Sequence, residues 1–209
     1  MKINAEKGFT LAELLIVVLL LPVLFLAVFS SMTMANVVFR TNNVYGALNQ
    51  SAMQTMRYIN REIGQSSPNA SPSHLNITTS AGNSVVRFQI PVDWDNDGDV
   101  VTAAANPAVE WGAYAEANQK TNGLLSDWVR YSVANNQLSR DILDSTLTPV
   151  AGTSRVVANN VQSFTVTQAS SALTMSITLQ GSDGVGQSGT SRTLQTSFSS
   201  NTILRNAVS

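Results

Sequence analysis

The segment Phe9-Thr10-Leu11-Ala12-Glu13-Leu14-Leu15-Ile16-Val17-Val18-Leu19-Leu20-Leu21-Pro22-Val23-Leu24-Phe25-Leu26-Ala27-Val28-Phe29 decides the fold. No charge or amide interrupts it from Leu14 to Phe29, and with Phe9–Glu13 in front it reaches the ~20 residues needed to cross a bilayer core. Glu13 sets it apart from an ordinary secretory signal, because a carboxylate deep in a membrane costs roughly 2.5–3.5 kcal/mol on insertion scales. The run also lacks a clear small-residue cleavage site, Thr33 and Ala35 being the candidates for one. Ahead of it lies a short basic stretch, Met1–Gly8, with Lys2, Lys7 and Glu6. Positive charge there keeps that end cytoplasmic by the positive-inside rule.

After Ser31 the pattern becomes amphipathic. Val38, Tyr45, Leu48, Ala52, Met56, Ile59 and Ile63 recur at helical steps, whereas Arg57, Arg61 and the adjoining Glu62 fall on another face. Gly64 and Ser66-Ser67-Pro68 supply helix-stop chemistry. A helix from Phe9 to Gly64 would be roughly 80–85 Å long, with a kink or loosening expected at Pro22. Half of it must lie in lipid or against other helices, and half against a head.

The remainder reads as strands and loops. Pro68–Gly82 is a polar linker, and Val85–Val92 alternates as a half-buried strand. Asp93–Gly123 is a long irregular insertion, with Glu110 and Glu116 flanking and solvating a short helix. Trp128–Val133 and Gln137–Asp141 flank Ala134-Asn135-Asn136 as a hairpin, since Asn accepts positive φ. Val161–Thr167 and Leu173–Gln180 make a second pair, Gly181–Gly189 is a loop, and Leu194–Phe198 is the last strand. A long helix followed by antiparallel strands is an α+β fold.

The run Lys7-Gly8-Phe9-Thr10-Leu11-Ala12-Glu13-Leu14-Leu15-Ile16-Val17 resembles the class III leader and assembly motif of type IV pilins and type II secretion pseudopilins. The resemblance implies a pilin-like fold and a cut after Gly8 by a prepilin peptidase, which also methylates the new amino terminus of Phe9. Its divisions would be a leader at 1–8, an assembly half of the helix at 9–30, an amphipathic half at 31–66 and a β-rich head at 67–209. Glu13, one helical turn after Phe9, is then a counter-ion for the terminal ammonium of its own or a neighbouring subunit. The alternative for Glu13 is a snorkelling carboxylate without a partner. The order of the head strands, Trp128-Val129-Arg130-Tyr131, Met56–Glu62 and Ile203-Leu204-Arg205-Asn206 are similar to minor pseudopilins of the J type and to W-type minor pilins.

Composition narrows the rest. The formal net charge of −1, with basic residues scattered singly, gives no reason to expect nucleic-acid binding. Only 12% of residues are charged, which suits an extracytoplasmic protein, and no cysteine is present to form a disulfide or a thiolate metal site. Catalysis finds no footing: the single histidine, His74, reads as a solvated loop residue. The three tryptophans, Trp94, Trp111 and Trp128, read as core.

One run stands out, Asp93-Trp94-Asp95-Asn96-Asp97-Gly98-Asp99. Asp93, Asp95 and Asp97 fall at positions one, three and five of a D-x-[DN]-x-[DN]-G calcium loop, with Gly98 at the turn and Asp99 at position seven. Ala104 stands where the usual bidentate glutamate would be. Two readings remain open: a weak calcium site, and a solvated acidic turn closing Val85–Val92 with Trp94 packed beneath it.

Together these features lead us to expect a non-enzymatic filament subunit, a minor pseudopilin of a type II secretion system. It would be single-pass in a bacterial inner membrane, with its head in the periplasm or outside the cell. Its partners would be the prepilin peptidase, other pilins or pseudopilins and an inner-membrane assembly platform. Two alternatives are a minor type IV pilin of a pilus or competence machine, and a membrane-tethered calcium-dependent binding protein that never polymerises.

Overall fold

The computed structural model describes residues 10–67, 73–102, 108–115, 123–184 and 193–204. One helix, α1 (Leu11–Ile63), runs unbroken for 53 residues, or about 80 Å. Pro22 lies inside it and leaves the Val18 carbonyl without an intrahelical donor, yet the helix continues on both sides. Its C-terminal part buries Leu48, Ala52, Thr55, Met56, Ile59, Glu62 and Ile63. Burial of each large apolar side chain on that face contributes about 1.5–3 kcal/mol. Ahead of Leu48 the helix has partly buried Val37, Thr41 and Val44, and the expected Val38 and Tyr45 are exposed.

Antiparallel strands follow. The largest sheet has the order β1-β2-β6-β7-β8, formed by Leu75–Ser80, Asn83–Phe88, Trp128–Ala134, Gln137–Leu143 and Arg155–Asn159. A second sheet, order β11-β10-β9, comprises Thr193–Ile203, Ala172–Ser182 and Val161–Ala169. A small third sheet joins β3 (Ile90–Pro91), β4 (Trp111–Ala113) and β5 (Leu124–Leu125). The fold is α+β. Its core gathers Met56 and Ile59 of the helix with Phe88, Tyr131, Phe164 and Met175 of the sheets. Phe88 stacks on Tyr131 with ring centroids 6.0 Å apart.

Several strands differ from expectation. Leu75–Ser80 is a strand rather than linker, paired with β2 through a tight turn in which Ala81 and Gly82 take φ of 48° and 79°. The strand expected over Val85–Val92 divides at Gln89, whose side-chain amide donates to the Asp127 carbonyl and accepts from His74 Nδ1. Arg155–Asn159 forms a further strand that the sequence pattern does not predict. Gly181 belongs to β10 rather than to a loop; a Cβ there would lie 3.1 Å from Val44 and 3.2 Å from Leu48, so its hydrogen lets helix and strand approach. The expected hairpin turn is present, Asn135 and Asn136 both taking positive φ.

β11 extends to Ile203, beyond the apolar pattern, because hydroxyls take over its inward face. Asn60 donates to Ser200 Oγ at 2.7 Å and accepts from Thr202 Oγ1 at 2.7 Å, and Thr196 donates to Asn49. The first two sheets are joined by side chains of β2. Asn83 Oδ1 and Ser84 Oγ accept the Phe164 and Val166 backbone N–H groups at 2.8 Å each, satisfying the edge of β9.

The last turn of α1 is held by a buried ion pair. Arg140 Nη2 lies 2.6 Å from Glu62 Oε1, and both side chains are almost completely buried. Arg140 Nε also donates to the same carboxylate, while Nη1 and Nη2 donate to the Ala115 and Tyr114 carbonyls at 3.0 and 2.8 Å. Tyr131 donates its hydroxyl to Glu62 Oε2. Burial opposes the arginine charge, but the hydrogen bonds and charge of Glu62 more than offset this and raise its pKa. Burial first, and then the neighbouring Glu62, push the Tyr131 phenol upward, so it remains a donor. Arg57 and Arg61 point outward, as expected, but Glu62 does not share their face.

Removing one partner of such a pair strands a charge in the core. Arg140→Ala is expected to lower unfolding free energy by about 3–5 kcal/mol in urea titrations of the full chain in detergent. Arg61→Ala should stay within about 0.5 kcal/mol of the parent. Equal effects of the two would show that the buried pair has no special role.

Candidate functional site

Two regions carry the chemistry singled out in the sequence: the start of α1 and the acidic loop after β3. At the first, Thr10 is the N-cap and forms a reciprocal capping box with Glu13. Thr10 Oγ1 accepts from the Glu13 backbone N–H at 3.3 Å, while Glu13 Oε2 accepts from the Thr10 N–H at 2.8 Å and its hydroxyl at 2.9 Å. Glu13 therefore turns its carboxylate back toward the N-terminal end, where the helix dipole also favours negative charge. The spacing Thr10-Leu11-Ala12-Glu13 is itself a capping-box signature, a local signal for this geometry that the sequence carries at the head of the apolar run. Gly8 and Phe9, the expected processing site, lie outside the described residues.

Beyond the cap the helix is apolar on every side. Leu11, Leu14–Leu21, Val23–Leu26, Val28, Phe29, Met32 and Met34 are all exposed, and so are Val38 and Phe39. A helix apolar all round is stable only inside lipid or a bundle of other helices. α1 is long and apolar enough near the N-terminus to cross a membrane. The apolar exposure runs past residue 30 to Phe39, and Thr41 meets the head by donating to Asp183 Oδ2 at 3.1 Å.

At the second region the structure brings together Asp93, Asp95 and Asp97, each offering a carboxylate oxygen within 4.8 Å of the others. Asp93 is buried at 8% exposure, whereas Asp95 and Asp97 are exposed. Its backbone N–H donates to Tyr114 Oη at 2.9 Å and its Oδ2 accepts from Gly98 N–H at 3.1 Å. Gly98 takes a φ of 93°, the left-handed turn for which the sequence placed a glycine there. Asp99 stays outside this group, its Oδ1 accepting from the Val100 N–H at 2.6 Å. Ala104 and Glu116 lie outside the described residues.

Three expectations are corrected around this loop. Glu110 does not solvate a short helix: it is buried beside β4 and accepts from the Trp94 N–H at 3.4 Å. Trp94 is 47% exposed and does not pack beneath the turn; Trp111 and Trp128 are half-buried. His74 is buried rather than solvated. It stacks on Trp111 at 4.2 Å, and its Nδ1 lies 2.6 Å from Gln89 Oε1, which makes Nδ1 the protonated nitrogen. Its partners are an amide and an indole, a packing role that a lone histidine among Ser and Pro does not disclose.

Comparison of the chain with protein-family models, with curated proteins and with solved structures finds no match.

The separation of an exposed apolar half from an embedded half predicts an experiment on the boundary. A chain starting at Asn36 should be soluble and monomeric, with a β-type circular dichroism spectrum. Aggregation without a β signal would mean that residues before Asn36 are required by the head.

Proposed function

We propose that this chain is a non-enzymatic structural subunit of a type IV pilus-like filament, a minor pseudopilin of a type II secretion system. The observation that carries this reading is the division of α1: about thirty residues of exposed apolar helix with no packing partner among the described residues, continuous with a stretch embedded in a β-rich head. The motif Lys7-Gly8-Phe9 followed by Glu13 adds the processing site. In this mechanism the helix waits in the bacterial inner membrane, with the head in the periplasm. Assembly then transfers its apolar surface from lipid to a bundle of like helices on an inner-membrane platform. Lipid is already apolar, so packing and paired polar groups decide the gain. A chain beginning at Phe9 would carry its ammonium one residue before Thr10, at the end of the helix toward which Glu13 is turned. A minor type IV pilin would use the same helix.

The capping box favours a second reading. It satisfies Glu13 within its own chain, so a membrane-tethered binding protein that never polymerises would also have a use for this carboxylate. Charge and cap can be separated. Glu13→Gln keeps a capping-box side chain but removes the charge, and Glu13→Ala removes both. A counter-ion role predicts that both variants are inserted but enter filaments poorly. If Glu13→Gln assembles like the parent, the ion pair has no part in assembly.

Processing gives an independent check. Co-expression with a prepilin peptidase should produce a chain starting at N-methylated Phe9, read by mass spectrometry. An intact Met1, or a start at Asn36, would overturn the filament reading.

A further inference from the structure

The acidic loop contains an imbalance that its own hydrogen bonds do not correct. Asp93 is more than nine-tenths buried, and among the described residues its Oδ1 has no hydrogen-bond partner. Its carboxylate nevertheless belongs to the cluster formed with Asp95 and Asp97. A buried acceptor left unpaired costs about 1–3 kcal/mol, and more when it is charged. Neither ion pair found among the described residues, Arg130–Asp141 or Arg140–Glu62, reaches the loop. Glu110, a second buried carboxylate, borders it through the Trp94 N–H and brings no positive charge.

We propose that Asp93, Asp95 and Asp97 bind a calcium ion, with Asp93 Oδ1 as the buried ligand. A cation supplies both the missing partner for that oxygen and the charge that allows three carboxylates to converge. Calcium fits better than magnesium. It takes six to eight oxygens at about 2.3–2.6 Å in flexible geometry, whereas magnesium demands a near-ideal octahedron and gives up its waters reluctantly. The loop offers carboxylates from alternate residues, and two of them, Asp95 and Asp97, are exposed to solvent that can complete the shell. With the position-twelve glutamate replaced by Ala104, the affinity belongs in the weak range of extracellular modules, about 10⁻⁴–10⁻³ M. Binding would fasten the turn to the small sheet, since Asp93 is tied by its backbone to Tyr114 and Gly123. This proposal is independent of filament assembly.

The test uses the full chain in detergent, stripped of metal. Terbium should bind and luminesce on indole excitation, with the exposed Trp94 as antenna, and calcium should displace it at about millimolar concentration. Calcium should also raise the melting temperature, as any ligand selective for the folded state does. Asp95→Asn with Asp97→Asn, both surface changes, should abolish the terbium signal and the thermal shift while leaving the circular dichroism spectrum intact. Asp93→Asn should abolish binding as well. The proposal is overturned by an absence of calcium displacement and thermal shift at about 10 mM, well above the expected range. It is equally overturned by a signal that survives the double substitution, or by magnesium displacing terbium as effectively as calcium.

Discussion

Glu62 enters the head from the last turn of α1 and meets Arg140 from the middle of the largest sheet, with Tyr131 closing the carboxylate's other side. A charge pair in a dry core stabilises little by itself, since desolvation consumes most of the attraction. It does fix geometry, because neither charge can be displaced without being left unpaired. Arg140 spends its remaining donors on the Tyr114 and Ala115 carbonyls, so helix, sheet and the segment after β4 share one junction. The Asn49 and Asn60 contacts to β11 then set the helix along the second sheet.

That anchorage explains how one helix can live in two environments. Its embedded half is held by a specific ion pair, amide–hydroxyl contacts and an apolar face. Its exposed half finds none of these among the described residues. At the far end, the capping box satisfies backbone donors that would otherwise be bare at the start of an apolar helix. Glu13 therefore has a local role within its own chain.

Glu62 and Asp93 are buried acids with opposite circumstances. Glu62 is surrounded by donors of the protein, whereas among the described residues Asp93 Oδ2 receives the Gly98 N–H and Oδ1 has no partner. The first belongs to the architecture of the head. The second leaves a place for a partner that the described residues do not provide.

The sequence alone determined what depends on composition and short-range pattern. The apolar run made a long helix unavoidable, the Asn135-Asn136 turn specified its hairpin, and Leu173–Leu179 alternated as a buried strand must. The aspartate spacing likewise brought three carboxylates within reach of one another in one tight loop. Tertiary structure decided whatever required a partner distant in sequence. Glu62 looked like a surface residue beside Arg57 and Arg61, because nothing near it reveals an arginine 78 residues away. Leu75–Ser80 and the end of β11 look polar, yet they pair because backbone partners and helix amides receive their hydrogen bonds. His74, Glu110 and Asp93 followed the same rule. Their residue types are compatible with solvent or with burial, and only the packing of β4 and its neighbours settled which. A local pattern fixes which conformations a segment can adopt, but the environment of a polar side chain is set by groups that the fold brings from elsewhere.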